Sequence, residues 1–153
     1  MDLKATCYVD GSFNPKLEKY AFGCVCFHPD GTTEEFCGSG NSEDALKQRN
    51  VAGEMIASML ALKWALVNEY NELEICYDYA GIEAWVTGAW KAKNDLTCKY
   101  RDFMREKSRT VKLTFTKIAA HTNDRYNEMA DKLAKEGLTK EPGLPEIVKR
   151  KLI

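Results

Sequence analysis

Apolar and polar residues alternate through LKATCYVD (3–10), the period-two signature of a strand with one buried face. The turn-rich segment GSFNPKLEK separates it from a second apolar run, YAFGCVCFH. The dipeptide Asp30-Gly31 then predicts a hairpin into a third strand, TTEEFCGSG. A polar loop, NSEDALKQR, precedes the longest helical pattern, over 50–70. Val51, Met55, Met59, Leu62 and Leu66 recur there at spacings of four, four, three and four. LEICYD, ending at Asp78, reads as a fourth strand, and Gly81 and Ile82 open a short helix carrying Trp85 and Trp90. A further helix over 99–107, a fifth strand VKLTFTKI, a loop holding His121 and a helix over 125–136 stopped by Gly137 complete the order. A hairpin meander feeding strand–helix alternation predicts an α/β fold. Its five-stranded mixed sheet combines a three-strand antiparallel meander with parallel strands, and helices cover both faces. The expectation is one domain over 1–153, with its core at about 3–137. The tail, 138–153, should pack back through Leu144, Ile147, Val148 and Leu152.

Composition narrows the class. With 44% hydrophobic and 29% charged residues the chain suits a globular domain rather than a disordered one. No apolar run approaches the roughly 20 residues needed to span a bilayer. The first residues enter strand-like alternation without a basic head and apolar signal core, so a cytoplasmic protein is expected. Of the six cysteines, Cys7, Cys24, Cys26 and Cys76 sit inside apolar runs and no CxxC pair occurs. Reduced core thiols are therefore expected, and zinc is not. A net charge of -1 argues against a broad basic face. The positive charge is local, at Lys99, Arg101, Arg105, Lys107, Arg109, Lys112 and Lys117, and by itself reads as a solvated surface. His28, before Pro29-Asp30-Gly31, reads as a surface residue.

The acidic residues carry more information. Asp10 and Asp78 each end an alternating strand, and ligands of open α/β sheets gather at the carboxyl ends of parallel strands. Each is equally consistent with a turn or capping aspartate. Glu54 begins an apolar helix whose Ala57, Ala61 and Ala65 form a small-residue stripe, which presses the carboxylate toward the sheet. Asn127 and Asp131 share one face of the last helix. A carboxylate near a core is costly unless paired or metal-bound. Four such groups would make an all-oxygen site suited to magnesium or manganese, as in-line phosphodiester hydrolysis by two cations requires.

YVDGSF, RNVAGE, ICYDYAGIEAW and AHTNDRYNEMADKLAKEG resemble, in order and spacing, the signature blocks of type 1 ribonucleases H, over about residues 3–137. The resemblance implies the ribonuclease H-like fold and hydrolysis of the RNA strand of RNA–DNA hybrids, leaving 5′-phosphate and 3′-hydroxyl ends. It implies Asp10, Glu54, Asp78 and Asp131 as ligands of two Mg2+ ions, for which Mn2+ can substitute, and His121 as a loop histidine assisting leaving-group protonation or product release. Gly11, Ser12, Asn50, Asn127 and Trp85 correspond to substrate contacts, and Lys91 belongs to a shortened basic protrusion. The expected partner is the hybrid itself, with no membrane and no obligatory protein partner, the protein being a monomer. Two alternatives stand beside this reading: another nuclease of the same fold, or a non-catalytic hybrid-binding module.

Overall fold

The computed structural model of the chain describes residues 3–119 and 124–151. Five strands among them form one mixed sheet in the order β3-β2-β1-β4-β5. β1 (Lys4–Asn14), β2 (Lys19–Phe27) and β3 (Thr33–Gly40) make the antiparallel meander. β4 (Glu72–Tyr77) runs parallel to β1, and β5 (Lys112–Lys117) parallel to β4. Parallel neighbours need crossovers, and helices supply them: α1 (Glu43–Leu46) and α2 (Asn50–Val67) before β4, and α3 (Gly81–Thr87) and α4 (Asp95–Lys107) before β5; α5 (Arg125–Gly137) follows the last strand. α2 lies on β1 and β2 with α4 stacked against it, while α5 packs on β1, β2 and β3. Cys7 and Val9 belong to the core that includes α2, whereas Tyr8 meets Tyr126 of α5 with ring centroids 5.4 Å apart. The two helices therefore cover opposite faces, as the strand–helix alternation predicts.

Several local expectations need correcting. β1 does not end at Asp10, because Gly11, Ser12 and Phe13 keep pairing with Phe22, Ala21 and Tyr20; the turn is confined to the residues after Asn14. α1 is too short and polar to leave an apolar period. α4 starts at Asp95, earlier than its apolar residues indicate, since Asn94 and Thr97 form a reciprocal capping box. Gly137 does not stop α5. It stays helical, with Leu138 as the C-cap, and a Cβ there would lie 2.5 Å from the Gly38 carbonyl oxygen. Its smallness serves close approach to β3.

His28 is not a surface residue: it is 3% exposed. Its Nε2 lies 2.7 Å from Glu34 Oε2, which also accepts the Trp64 indole N–H at 2.8 Å, and its Nδ1 meets the Tyr70 hydroxyl. Trp64 and Tyr70 come from the far end of α2 and its exit, so no local sequence signal could reveal the burial. The tail does return onto the domain, although only Ile147 of its expected cluster is buried. Leu144 and Val148 remain exposed, and Leu152 lies outside the described residues. The Gly143 N–H donates to Ser39, and Arg150 holds Asn68, Asp30 and Thr32, so the tail runs beside edge strand β3.

Glu34→Ala leaves two donors, the His28 ring and the Trp64 indole, without their acceptor. It should lower unfolding free energy by about 1–3 kcal/mol. Urea unfolding would register this as a lower midpoint at unchanged slope. An unchanged midpoint would show that the buried network contributes nothing.

Candidate active site

Pairing of Tyr8 with Cys76 sets β1 and β4 in parallel register. It places Asp10 level with Asp78, which follows the last residue of β4. Asp10 shares the α5 face with Tyr8, and its Oδ1 accepts the Gly11 N–H at 2.9 Å. Asp78 is exposed. Its backbone N–H, with that of Tyr79, donates to Oε1 of Glu54 at 2.7 and 3.1 Å. Glu54 is 2% exposed.

That carboxylate reaches β4 because α2 lies unusually close to the sheet. A Cβ on Gly53 would stand 1.8 Å from the Ala21 carbonyl oxygen, and one on Gly11 2.0 Å from that of Asn50. No other residue fits either position without displacing backbone. Ala57, Ala61 and Ala65 are fully buried, so the alanine stripe behaves as its spacing indicates. Asp131 arrives from the opposite face. Asp124 caps α5 by accepting the Tyr126 and Asn127 N–H groups. Ala130 and Ala134 press the helix onto Gly23, where a Cβ would meet the Ala130 carbonyl oxygen at 2.4 Å. Asp131 sits beside Asp10 and pairs with the Lys135 ammonium at 2.9 Å.

The four carboxylates thus come from two strands and two helices into one neighbourhood, where burial and like charge act together. Burial pushes the Asp10 carboxyl up to about 7, with the charges of Asp131 and Asp78 adding to it and the Gly11 N–H opposing. Burial raises Glu54 to about 8, against the pull of the Asp78 and Tyr79 amides, and the neighbouring Asp10 and Asp78 raise it further. The hydrogen bond to Asp131 raises Lys135 above the ordinary lysine value. Among the described residues, no three of these acids bring oxygens within 4.8 Å of one another. An all-oxygen, electron-rich set with a near-buried member fits a hard divalent cation, which would draw the oxygens together.

Gly11 and Ser12 lie on β1 just past Asp10, and Asn50, exposed, starts α2 over Gly11. Asn127 is half-buried in the first turn of α5. Lys91 is exposed just after Trp90. His121 lies outside the described residues. Trp85 is 9% exposed and underlies two solvent-facing rings, Tyr79 and Trp90, at centroid distances of 5.9 and 6.0 Å. Sequence reasoning misses Tyr79, although it adjoins Asp78, because a lone aromatic there has no period to announce it. It also misses Arg49, which precedes Asn50. The Arg49 backbone has φ 54°, and its guanidinium sits over the Phe13 ring at 5.8 Å.

Comparison with known proteins gives one consistent picture. The family model described as RNase H matches residues 2–139. A protein named Ribonuclease H from Chlorobium luteolum is 24% identical over 93% of this chain and the whole of that protein. The crystal structure of RNase H1 from the halophilic archaeon Halobacterium salinarum superposes with a TM-score of 0.72 at 26% identity, covering 88% of this chain and 97% of that one. LC11-RNase H1, solved in complex with an RNA/DNA hybrid, has the same fold, with a TM-score of 0.67 at 18% identity over 88% of this chain and 99% of that one.

The electrostatics predict an unusual pH dependence. Asp10 and Glu54 hold protons when folded that the unfolded chain, with ordinary values of 3.8 and 4.5, has already lost. Their contribution is complete below those values and is lost as pH rises through about 7 and 8. Without divalent cations, thermal stability attributable to these groups should fall between about pH 4 and pH 8, and Glu54→Gln should flatten the decline. Melting curves in excess chelator test this. A decline identical in wild type and Glu54→Gln would remove Glu54 as its source.

Proposed function

The chain belongs to the RNase H family of nucleases, and on that premise we propose that it cuts the RNA strand of RNA–DNA hybrids at an acidic site holding two divalent cations. The observation that carries this reading is the buried Glu54 carboxylate, tied to the Asp78 and Tyr79 amides and beside Asp10, which in turn neighbours the Asp131 carboxylate brought by α5. A structural aspartate or helix-capping glutamate has no need of such a neighbourhood. Asp10, Glu54, Asp78 and Asp131 are the residues that would hold Mg2+, or Mn2+ in its place. Such ions supply Lewis-acid activation of water and stabilise the leaving oxygen.

The chain's own residues do the rest. The Gly11 N–H fixes one Asp10 oxygen, leaving the other directed toward the cluster. Glu54 holds the β4–α3 turn in place, so Asp78 keeps its position beside β1. Gly11, Ser12 and Asn50, contiguous on the surface where α2 crosses β1, are placed to contact the RNA strand and its 2′-hydroxyls. Tyr79 and Trp90, supported from below by Trp85, offer aromatic surface to the other strand. His121 is the proposed proton donor to the departing 3′-oxygen, which leaves 5′-phosphate and 3′-hydroxyl ends.

Grip on the substrate is the weak point. Arg101 pairs with Asp102 at 2.9 Å, and the Arg105 Nε donates to the Val86 carbonyl at 2.9 Å, so both are engaged within the protein. Lys91, Lys93 and Lys99 remain exposed for phosphate contacts.

End-labelled RNA–DNA, RNA–RNA and DNA–DNA duplexes, incubated with and without magnesium, test the reading. Only the RNA of the hybrid should be cut, and chelation should abolish cutting. Asp10→Asn, Glu54→Gln, Asp78→Asn or Asp131→Asn should each reduce turnover severely, and His121→Ala should slow it on the order of 100-fold. DNA–DNA cleavage at the same rate would favour another nuclease of this fold. Hybrid binding without cleavage would favour a non-catalytic module.

Hybrid affinity of the Asp131→Asn protein should fall with salt at a shallow logarithmic slope of about three, given roughly 0.9 for each of the three lysine–phosphate contacts. Tight binding with a steep slope would mean that cations elsewhere on the surface engage the duplex.

A further inference from the structure

Three cysteines unconnected with the acidic site form a cluster of their own. Cys7 of β1 stands directly opposite Cys26 of β2 in the antiparallel register, and Cys24 follows on the same face. All are fully buried against the α2 side of the sheet. Their sulfurs lie within 4.8 Å of one another, with Cys24 and Cys26 3.2 Å apart. Three thiols converging from two hydrogen-bonded strands present a trigonal arrangement of soft donors, the kind that selects soft, thiophilic centres over magnesium or calcium.

Charge decides which soft centre fits. A tetrahedral zinc ion asks for four ligands, and the cluster offers three. Cu+ or Zn2+ held by three thiolates would leave a net negative charge in an apolar core, at a steep desolvation cost. Burial also pushes the Cys7 and Cys26 thiols well above their ordinary values, while hydrogen bonds with Cys26 and Cys7 lower Cys24 to about 5, so the trio does not offer three ready thiolates to a cation. Trivalent arsenic avoids both difficulties. Arsenous acid, As(OH)3, condenses with three thiols to give As(SR)3 and three waters. Three S–H and three As–O bonds break, three As–S bonds form, no electrons are transferred, and the product is neutral and three-coordinate.

We propose that Cys7, Cys24 and Cys26 form a three-thiol site that captures one trivalent arsenic centre and cross-links β1 to β2. Since the sulfurs have no solvent exposure, capture proceeds when the strands open or as the chain folds. The bound centre then stabilises the native state, because the unfolded chain does not hold the three thiols together. The site is independent of the nuclease reading.

The test uses the full reduced chain and sodium arsenite, added either to native protein or during refolding from denaturant, followed by removal of excess. Intact-mass measurement should show one arsenic less three hydrogens per chain, more rapidly by the refolding route, with a raised Tm. A brief pulse of alkylating reagent in excess, given at neutral pH together with denaturant, then traps free thiols before arsenic exchanges. After quenching in acid and digestion, Cys37, Cys76 and Cys98 should be modified and Cys7, Cys24 and Cys26 protected in the arsenic-bound fraction, with all six modified in arsenic-free protein. The Cys37→Ser/Cys98→Ser protein should retain the arsenic, and Cys24→Ala should lose it. Protection of any other set of cysteines, or arsenic lost in the surface double variant, would overturn the proposal. So would its absence from wild type by both routes. Because the protection pattern is measured on wild-type protein, it tests the site even if Cys24→Ala does not fold.

Discussion

One carboxylate held in the interior by two backbone N–H groups fixes how the layers of this protein meet. Glu54 carries that bond from α2 to the turn after β4, and its geometry requires α2 to lie almost on top of β1 and β2. Gly11 and Gly53 permit this approach by leaving no Cβ where backbone already stands. The alanines that follow along α2 continue the close contact, and the larger residues, Met55, Leu62 and Trp64, fill the space beside it. A chain without those glycines would lift the helix, and Glu54 would lose both amide partners together.

The same bond explains why the site is electrostatically unfavourable in the absence of cations. Two amides stabilise an ionised Glu54, but burial and the adjacent acids oppose it more strongly, and Asp10 is held in the same balance. Lys135, paired to Asp131, already brings one positive charge to this acidic neighbourhood, as the proposed cation site would require. Packing elsewhere offsets the strain, through the aromatic layers around Trp64 and Trp85 and the tail bound beside β3. Function and stability pull against each other at Asp10 and Glu54, and the sheet and α2 absorb the difference.

Much of this is legible in the sequence, for physical reasons that differ from element to element. The period-two run of β1 and the small-residue stripe of α2 reflect burial on one face, and the continuous apolar run of β2 reflects burial on both, so residue type is constrained directly. The nearness of Asp10 and Asp78 follows from strand order, because parallel neighbours bring their carboxyl ends together, whereas Glu54 and Asp131 arrive on helices packed against the sheet. What stays hidden depends on partners distant in the chain. His28 looks like a turn residue until Trp64 and Tyr70 arrive from the other end of α2. Gly137 looks like a helix stop until β3 is laid beside it. Trp85 corresponds by resemblance to a substrate contact, and the rings that face solvent around it, Tyr79 and Trp90, become visible only when the turn after Asp78 sets Tyr79 beside it. The thiol trio is likewise invisible until register sets Cys7 against Cys26.

The proposed nuclease site depends on Glu54 being a buried, amide-held carboxylate able to take part in holding a divalent cation. Carbon-13 NMR of side-chain-labelled glutamate, assigned through Glu54→Gln and followed across pH in metal-free protein, reads that state at the atom concerned. The carboxyl resonance should titrate near 8 rather than at the ordinary 4.5, and should shift to the ionised position at neutral pH when magnesium is added. A resonance that titrates near 4.5 and ignores magnesium would mean that Glu54 is an ordinary carboxylate with no cation to hold.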